Sequence, residues 1–309
     1  VIPRFVVDAE PSDVRPCDAG TPDAVALDAG LVADVVAALV AEGCAIVERL
    51  VPDDVVDAVA AEMAPWLDAT PNGGDDFSGR NTRRCGALLA RSPSSTAMIA
   101  HPLVLAVADA FLWPRKTSFQ LHLTQLIAIG PGSPAQALHR DQWCFDFFPF
   151  PDDVEVELSC IWAMQDFTEA NGATRVIPGS QYDPVSATRE VHRSVPAEMP
   201  KGSVVLYSGR TIHGGGANTG DGVRVGLNVD YVLGWLRQEE NQYLSCPPDV
   251  AAQLPEHVRR LAGYAMGAYA LGYVDDVRDP GALFSAGDTA AGSASSFGGA
   301  AGIVPGARR

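Results

Sequence analysis

The feature that most constrains this chain is a run of strand signals through its middle with no regular helix between them. From Ser118 to Ile129 the residues alternate, with Phe119, Leu121 and Leu123 on one face and Gln120, His122 and Thr124 on the other, as in a half-buried strand. Further strands are predicted over Glu155 to Met164, Gly202 to Tyr207 and Val223 to Val232. Turn-rich stretches such as Glu169-Ala170-Asn171-Gly172 and Gly214-Gly215-Gly216 separate them. Parallel neighbours need long, usually helical crossovers, so this succession predicts a largely antiparallel sandwich or barrel.

The flanks read differently. Leu27 to Val40 places Leu31, Val35 and Leu39 at helical spacing between Asp28, a capping residue, and Gly43, a stop. A strand over Cys44 to Leu50 follows. A second helix then opens at Pro52-Asp53-Asp54 and runs to about Leu67, with acidic residues in the first turn, where the helix dipole favours them. Between Thr70 and Ser95 the composition shifts to Asn72-Gly73-Gly74-Asp75-Asp76 and Gly79-Arg80-Asn81, which predicts a long surface loop and a candidate lid. A third helix is expected from about Ser94 to Leu112, and helical signals return after Pro247-Pro248. One β enzyme wrapped in helices reaches 309 residues, so the expectation is a single domain over 1–284. It would have a helical scaffold at about 27–112, a β core at about 117–235 and a helical extension at about 248–284. The Gly-, Ala- and Ser-rich tail, 285–309, is expected to be mobile.

Composition removes several function classes. A hydrophobic content of 47% is ample for a large core. The formal charge of −16, from 22 basic and 38 acidic residues spread along the chain, repels polyphosphate backbones, so nucleic acid is not expected as a partner. The six cysteines form no C-x-x-C pair, which argues against a zinc ribbon and a disulfide scaffold. No apolar run approaches the roughly 18 residues of a membrane span, and Val1 to Glu10 lacks the basic and apolar segments of a signal peptide. The cytoplasm is the expected compartment. The sequence leaves the oligomeric state open, a homodimer included.

The chemistry concentrates in two segments. Gln136-Ala137-Leu138-His139-Arg140-Asp141-Gln142 holds a histidine and a carboxylate two apart, which on an extended strand share a face. Arg210-Thr211-Ile212-His213-Gly214-Gly215-Gly216 supplies a second histidine at the end of a predicted strand. Two histidines and one carboxylate make a facial triad that leaves open positions on iron(II) for a chelating cosubstrate and dioxygen. An H-x-D alone recurs by chance in many proteins; the conjunction with His213, and with Arg224 eleven residues beyond it, is what carries weight. Along the last strand Val223, Val225, Leu227 and Val229 share one face and Arg224, Gly226 and Asn228 the other. Arg224 is therefore either a solvent-exposed strand residue or a guanidinium inside the barrel, where small neighbours leave room for a dicarboxylate.

These residues resemble the iron(II)/2-oxoglutarate oxygenases of the phytanoyl-CoA dioxygenase family, including relatives that tailor secondary metabolites. The resemblance covers roughly Gly43 to Pro280. It rests on the 136–142 motif, on Asn171-Gly172-Ala173-Thr174-Arg175-Val176-Ile177-Pro178-Gly179-Ser180 and on the His213 to Arg224 spacing. It implies a mainly β fold with flanking α-helices, a double-stranded β-helix (jelly roll, cupin-like). It also implies His139, Asp141 and His213 as iron ligands, Arg224 as the partner of the distal 2-oxoglutarate carboxylate, and Gln136 and Thr174 as supporting hydrogen-bond donors. The implied cofactor is Fe(II), with 2-oxoglutarate and dioxygen as cosubstrates and succinate and carbon dioxide as co-products.

One departure stands out: the family's common Pro-Gly-Ser-His reads Pro178-Gly179-Ser180-Gln181 here. That histidine is not a metal ligand in the family pattern. Halogenating relatives replace the ligand carboxylate by a small residue, so Asp141 argues against halogenation. The expected substrate is a small, largely apolar molecule of specialised metabolism, oxidised by hydroxylation as the default and otherwise by desaturation, epoxidation or cyclisation. Contacts are expected from the 70–95 loop, from Trp143, Phe145 and Phe147, and from Trp235 to Tyr243. A coenzyme A thioester fits less well, since only Arg80, Arg83, Arg84 and Arg91 could form a basic cluster. Two alternatives stay open: a jelly-roll metalloenzyme that does not use 2-oxoglutarate, and a non-catalytic cupin-like binding protein. His101, His122, His192 and His257 have no matching context and are expected to be dispensable for metal binding.

Overall fold

The computed structural model describes residues 1–7, 28–113, 116–151, 154–184 and 191–284, so the expected mobile tail lies outside the described residues. Among the described residues there are ten strands: β1 (Arg4–Val6), β2 (Cys44–Glu48), β3 (Thr82–Cys85), β4 (Phe119–Ile129), β5 (Glu157–Ala163), β6 (Arg175–Val176), β7 (Val195–Pro196), β8 (Val204–Ser208), β9 (His213–Gly214) and β10 (Arg224–Leu233). Seven form one sheet in the order β1-β2-β8-β5-β10-β4-β3, antiparallel except for the parallel β1–β2 pair. The other three form a small sheet, β7-β6-β9. Ile161, Val205 and Tyr207 from the large sheet pack with Phe167, Ala173 and Val176 between the two. This is the expected jelly roll.

The outer face of the large sheet is sealed by the two N-terminal helices, α1 (Ala29–Glu42) and α2 (Asp53–Ala69), and by the helix Pro102–Phe111. Val35, Leu39, Val59, Met63, Val104 and Val107 from these helices share one core with Leu206, Leu227 and Val229 from the strands. Because helices cover one face and the site the other, β5 is buried at every position and reads as a nearly continuous apolar run. The Asp28 side chain caps α1, accepting from Gly30 N and Leu31 N.

Gly43 ends α1 in the left-handed region, at φ 72°, with its N–H donating to Leu39 O. A Cβ there would lie 2.3 Å from Gln181 Oε1 and 2.5 Å from Thr211 Oγ1. Gly43→Ala is therefore expected to cost about 2 kcal/mol, roughly half from backbone strain and the rest from the forced repacking. A urea denaturation series checks this: an unchanged midpoint would mean that the contact relaxes freely.

Several sequence expectations need correction. The 70–95 loop is shorter, because Thr82–Cys85 pairs with β4 as an edge strand and Leu88–Arg91 is helical, which leaves 70–81 as the loop. The third helix is broken at Ala100 and His101, its two parts bent by 43°. His101, preceding Pro102, is extended (ψ 127°), as the proline ring demands. The C-terminal extension has short helices, Gln242–Ser245, Pro248–Ala251 and Glu256–Leu261, and then turns, with Ala268, Asp275 and Val277 at positive φ. Among the described residues no single helix is long and apolar enough to cross a membrane.

The face assignment in β4 also fails at one point. The register against β10 shifts so that Asp230 opposes Leu123 and Tyr231 opposes Leu121, which leaves His122 as an extra residue, a β-bulge. Leu121 therefore stays in the helix-covered core, while Leu123, Gln125, Ile127 and Ile129 line the interior cavity. Simple alternation cannot reveal a one-residue insertion.

Candidate metal centre

His139 and His213 are brought together by the backbone. His139 N–H donates to His213 O at 2.8 Å and His213 N–H to His139 O at 2.9 Å, an isolated antiparallel bridge that sets the two side chains next to each other. The H-x-D motif does not lie on a continuous strand: His139 is the bridge residue and Asp141 opens a 3-10 turn, Asp141–Phe145. Arg140 between them is extended (φ −121°, ψ 138°), which is enough to return Asp141 to the side of His139. His213 likewise begins β9 in the small sheet instead of ending the strand before it. Arg140 itself anchors the turn by donating to Ser180 O and Asp183 O.

The donor atoms converge. Asp141 Oδ1 lies 3.5 Å from His139 Nε2 and 3.3 Å from His213 Nε2. His139 Nδ1 is 2.9 Å from Ala137 O and His213 Nδ1 is 3.1 Å from Thr211 O. A carbonyl only accepts, so each ring proton sits on Nδ1 and each Nε2 lone pair faces the site, the arrangement metal-binding histidines need. Ser159 Oγ donates to Asp141 Oδ2 at 2.8 Å and leaves Oδ1 for a metal. Burial acts to raise the Asp141 carboxyl, but His213 and then His139 hold it well below the usual carboxylate range. Tyr207, with its hydroxyl 3.3 Å from His213 Nε2, has its phenol pushed up by burial and by Asp141.

A cavity of about 360 Å³ opens beside these donors. At one end is Arg224, 2% exposed, which excludes the solvent-exposed reading. Its Nε and Nη2 donate to Gly172 O, its guanidinium lies 4.3 Å above the Phe167 ring, and among the described residues it pairs with no carboxylate. Burial, then Arg84, push it down to about 9. A Cβ at Gly226 would come within 3.2 Å of Arg224 Nη1, so glycine keeps that end open. Thr174 is buried and lines the same end. Gln136 lines the cavity too, but its amide is engaged, Nε2 donating to Phe77 O and Oε1 accepting from Gly215 N, so it ties the 70–81 loop to the residue after β9. Three nitrogen and oxygen donors around one point, beside an unmatched buried cation, fit an octahedral metal with a dianionic chelator.

The expected substrate contacts are met in part. Phe77 stands edge-on to His139 at 4.9 Å, and Trp143 lies 6.2 Å from it. Phe145 instead packs into the core, and Phe147 is 87% exposed. From the Trp235 to Tyr243 stretch Glu239 lines the cavity. The arginines form no shared patch: Arg80 pairs with Asp76, Arg83 with Asp68, Arg91 covers Trp66, and Arg84 enters the cavity. Gln181, in place of the family histidine, faces α1 and donates to Val40 O. Sequence reasoning missed Ser159, Tyr207, Glu157 and Asp230. A usable signal existed for the carboxylates: Glu157 interrupts an apolar strand, and Asp230 shares the face of Arg224.

The family model described as phytanoyl-CoA dioxygenase (PhyH) matches residues 39–226, a span that contains all three donors and Arg224. The chain belongs to the phytanoyl-CoA dioxygenase family. The curated relatives it aligns with are named as dioxygenases. Among curated members, dioxygenase aneA of Aspergillus aculeatus is 37% identical over 58% of this chain and 62% of its own, so this chain spans about three fifths of that relative. Dioxygenase trt7 of Aspergillus terreus is 33% identical over 62% of this chain and 70% of its own. Among solved structures, the non-haem α-ketoglutarate-dependent epimerase SnoN of nogalamycin biosynthesis superposes with a TM-score of 0.56 at 20% identity, covering 66% of this chain and 82% of its own. HygX of Streptomyces hygroscopicus, with nickel, 2-oxoglutarate and hygromycin B bound, gives 0.55 at 15% identity, covering 67% and 89%. At such identities these two likenesses speak for the fold.

Proposed function

We propose that this chain oxidises a small organic molecule of specialised metabolism, with iron(II) held by His139, Asp141 and His213 and the distal carboxylate of 2-oxoglutarate received by Arg224. The observation that carries the reading is the pairing of two histidines, their Nε2 lone pairs freed toward one carboxylate oxygen, with a buried guanidinium that has no carboxylate partner among the described residues. When bound, the iron and 2-oxoglutarate supply oxidative decarboxylation to succinate and carbon dioxide, coupled to oxidation of the substrate. The chain's own part is positional. The backbone bridge fixes the angle between the histidines, Ser159 fixes which Asp141 oxygen faces the metal, Thr174 lines the cavity that would take the cosubstrate, and Gln136 acts through the loop it holds. The 70–81 loop, tied down by Gln136, screens His139 from water through Phe77.

Hydroxylation is the default outcome of this reading. A cytoplasmic enzyme with no nucleic-acid or membrane partner accords with the acidic chain, and a homodimer is compatible with it. Adding 2-oxoglutarate to the anaerobic iron(II) protein is expected to give a visible charge-transfer band, and His213→Ala is expected to remove it. Iron uptake without the band would favour a metalloenzyme that does not use 2-oxoglutarate. No iron uptake at all would leave a binding protein.

A further inference from the structure

The half of the cavity beyond Asp141 has a chemistry that the iron and 2-oxoglutarate do not use. Glu157 on β5 and Asp230 on β10 each bring a carboxylate oxygen within 4.8 Å of an Asp141 oxygen and of each other. Asp230 is partly satisfied, accepting from Cys160 N at 3.3 Å and from Asn228 Nδ2 at 3.0 Å. Glu157 is not: it is 1% exposed, it lines the cavity, and neither of its oxygens has a hydrogen-bond partner. Asn228 Oδ1, also lining the cavity, is unpartnered as well. Burial and then Asp141 push Glu157 and Asp230 well above the usual carboxylate range, so each holds a proton unless something positive joins it. With the cofactor and cosubstrate in place, iron(II), Asp141, the dicarboxylate and Arg224 cancel, and Arg84, which lines the cavity, makes no hydrogen bond to Glu157.

A cation for Glu157 is either a second metal or part of the substrate; the bulge residue removes one of the two metal groupings that include Glu157, and the all-carboxylate grouping with Asp141 and Asp230 is decided by the titration below. Glu239 N–H donates to His122 Nδ1 at 3.2 Å, which makes Nδ1 the acceptor and puts the ring proton on Nε2. Nε2 is the atom that faces Glu157 at 3.9 Å and Glu239 at 3.6 Å, so it has no lone pair to offer a metal grouped with Cys144 and Glu157. Those distances are also too long for hydrogen bonds, which leaves Glu157 open. An ammonium group suits the position: its three donors match carboxylates and an amide oxygen, while Phe77, Leu123 and Trp143 offer an apolar and aromatic wall to the body that carries it.

We propose that the substrate bears a protonated amino group that seats on Glu157, with Asp230 and Asn228 completing its hydrogen bonds, and that Glu157 is the residue that selects for it. The expected apolar substrate thereby becomes an amine with an apolar body. This rests on the iron and 2-oxoglutarate reading for which end of the cavity the cosubstrate takes.

The test is calorimetric titration of the anaerobic iron(II) protein, with 2-oxoglutarate present, by hexylammonium, hexanol and hexanoate, for wild type and Glu157→Gln. Hexylammonium is expected to bind wild type at least about tenfold more tightly than the other two, and to lose about ten- to a hundredfold in the variant. The visible 2-oxoglutarate band should be the same in both proteins. Hexanol or hexanoate binding as well as hexylammonium, no binding of hexylammonium, or equal amine affinity in Glu157→Gln would overturn the proposal. So would a second equivalent of iron(II) taken up by wild type and lost in Glu157→Gln. Should the variant not fold, the ranking of the three compounds on wild type decides. A missing band with the amine ranking intact would instead count against the cosubstrate assignment.

Discussion

His139→Ala and Asp141→Ala are each expected to take substrate oxidation below detection and to abolish uptake of about one iron per chain, while circular dichroism stays that of the wild type. Groups that merely support a metal ligand already cost roughly 10- to 100-fold when removed, and these are the ligands themselves in the proposed centre. The fold should survive because the large core of helix and strand side chains lies on the far side of the sheet from the site. The His139–His213 bridge is made by backbone atoms, so it too outlives loss of the imidazole. Turnover at the wild-type rate by either variant would remove that residue from the triad.

How much of this was legible beforehand depended on the range of the forces involved. The four long strands and both N-terminal helices follow from local periodicity and capping, and Asp28 and Gly43 act as their sequence context predicts. The donor set could be read because H-x-D needs only one extended residue, Arg140, to bring both side chains to one side. The short strands β6, β7 and β9 were not legible, since two residues carry no period and their pairing is decided by segments far away in the chain. The bulge at His122 hid for a related reason: an extra residue leaves composition unchanged and shows only against its partner strand. The family pattern implies Gln136 as a hydrogen-bond donor to the cosubstrate, yet its amide bonds Phe77 and Gly215, an engagement no one-dimensional motif specifies.

Arg224→Ala is expected to weaken 2-oxoglutarate binding about ten- to a hundredfold or more, because a charge-assisted hydrogen bond is worth roughly 1.5 to 3 kcal/mol and a buried carboxylate would be left unpaired. Iron affinity should barely move, since Arg224 bonds none of the three candidate ligands; its hydrogen bonds go to Gly172 O. Arg224→Lys should recover only part of the loss. An ammonium supplies charge but lacks the planar fork, and it gives up the stacking on Phe167. Titrating 2-oxoglutarate into the anaerobic iron(II) form of the three proteins checks this. Equal affinities would make Arg224 a structural residue and move the cosubstrate to another cation.

The extra residue in β4 makes one position of the barrel removable. Because Leu121 and Leu123 already sit on opposite faces, opposite Tyr231 and Asp230, a chain lacking His122 would keep every other β4 side chain on its present side and in its present pairing. The loss would be confined to the imidazole and its contacts, with Glu239 and Glu240 through backbone and ring and with Cys144, Phe145 and Glu157 beside the ring. Insertion or deletion here therefore changes what stands beside Glu157 without moving the β4 side chains that line the cavity or the backbone bridge between His139 and His213.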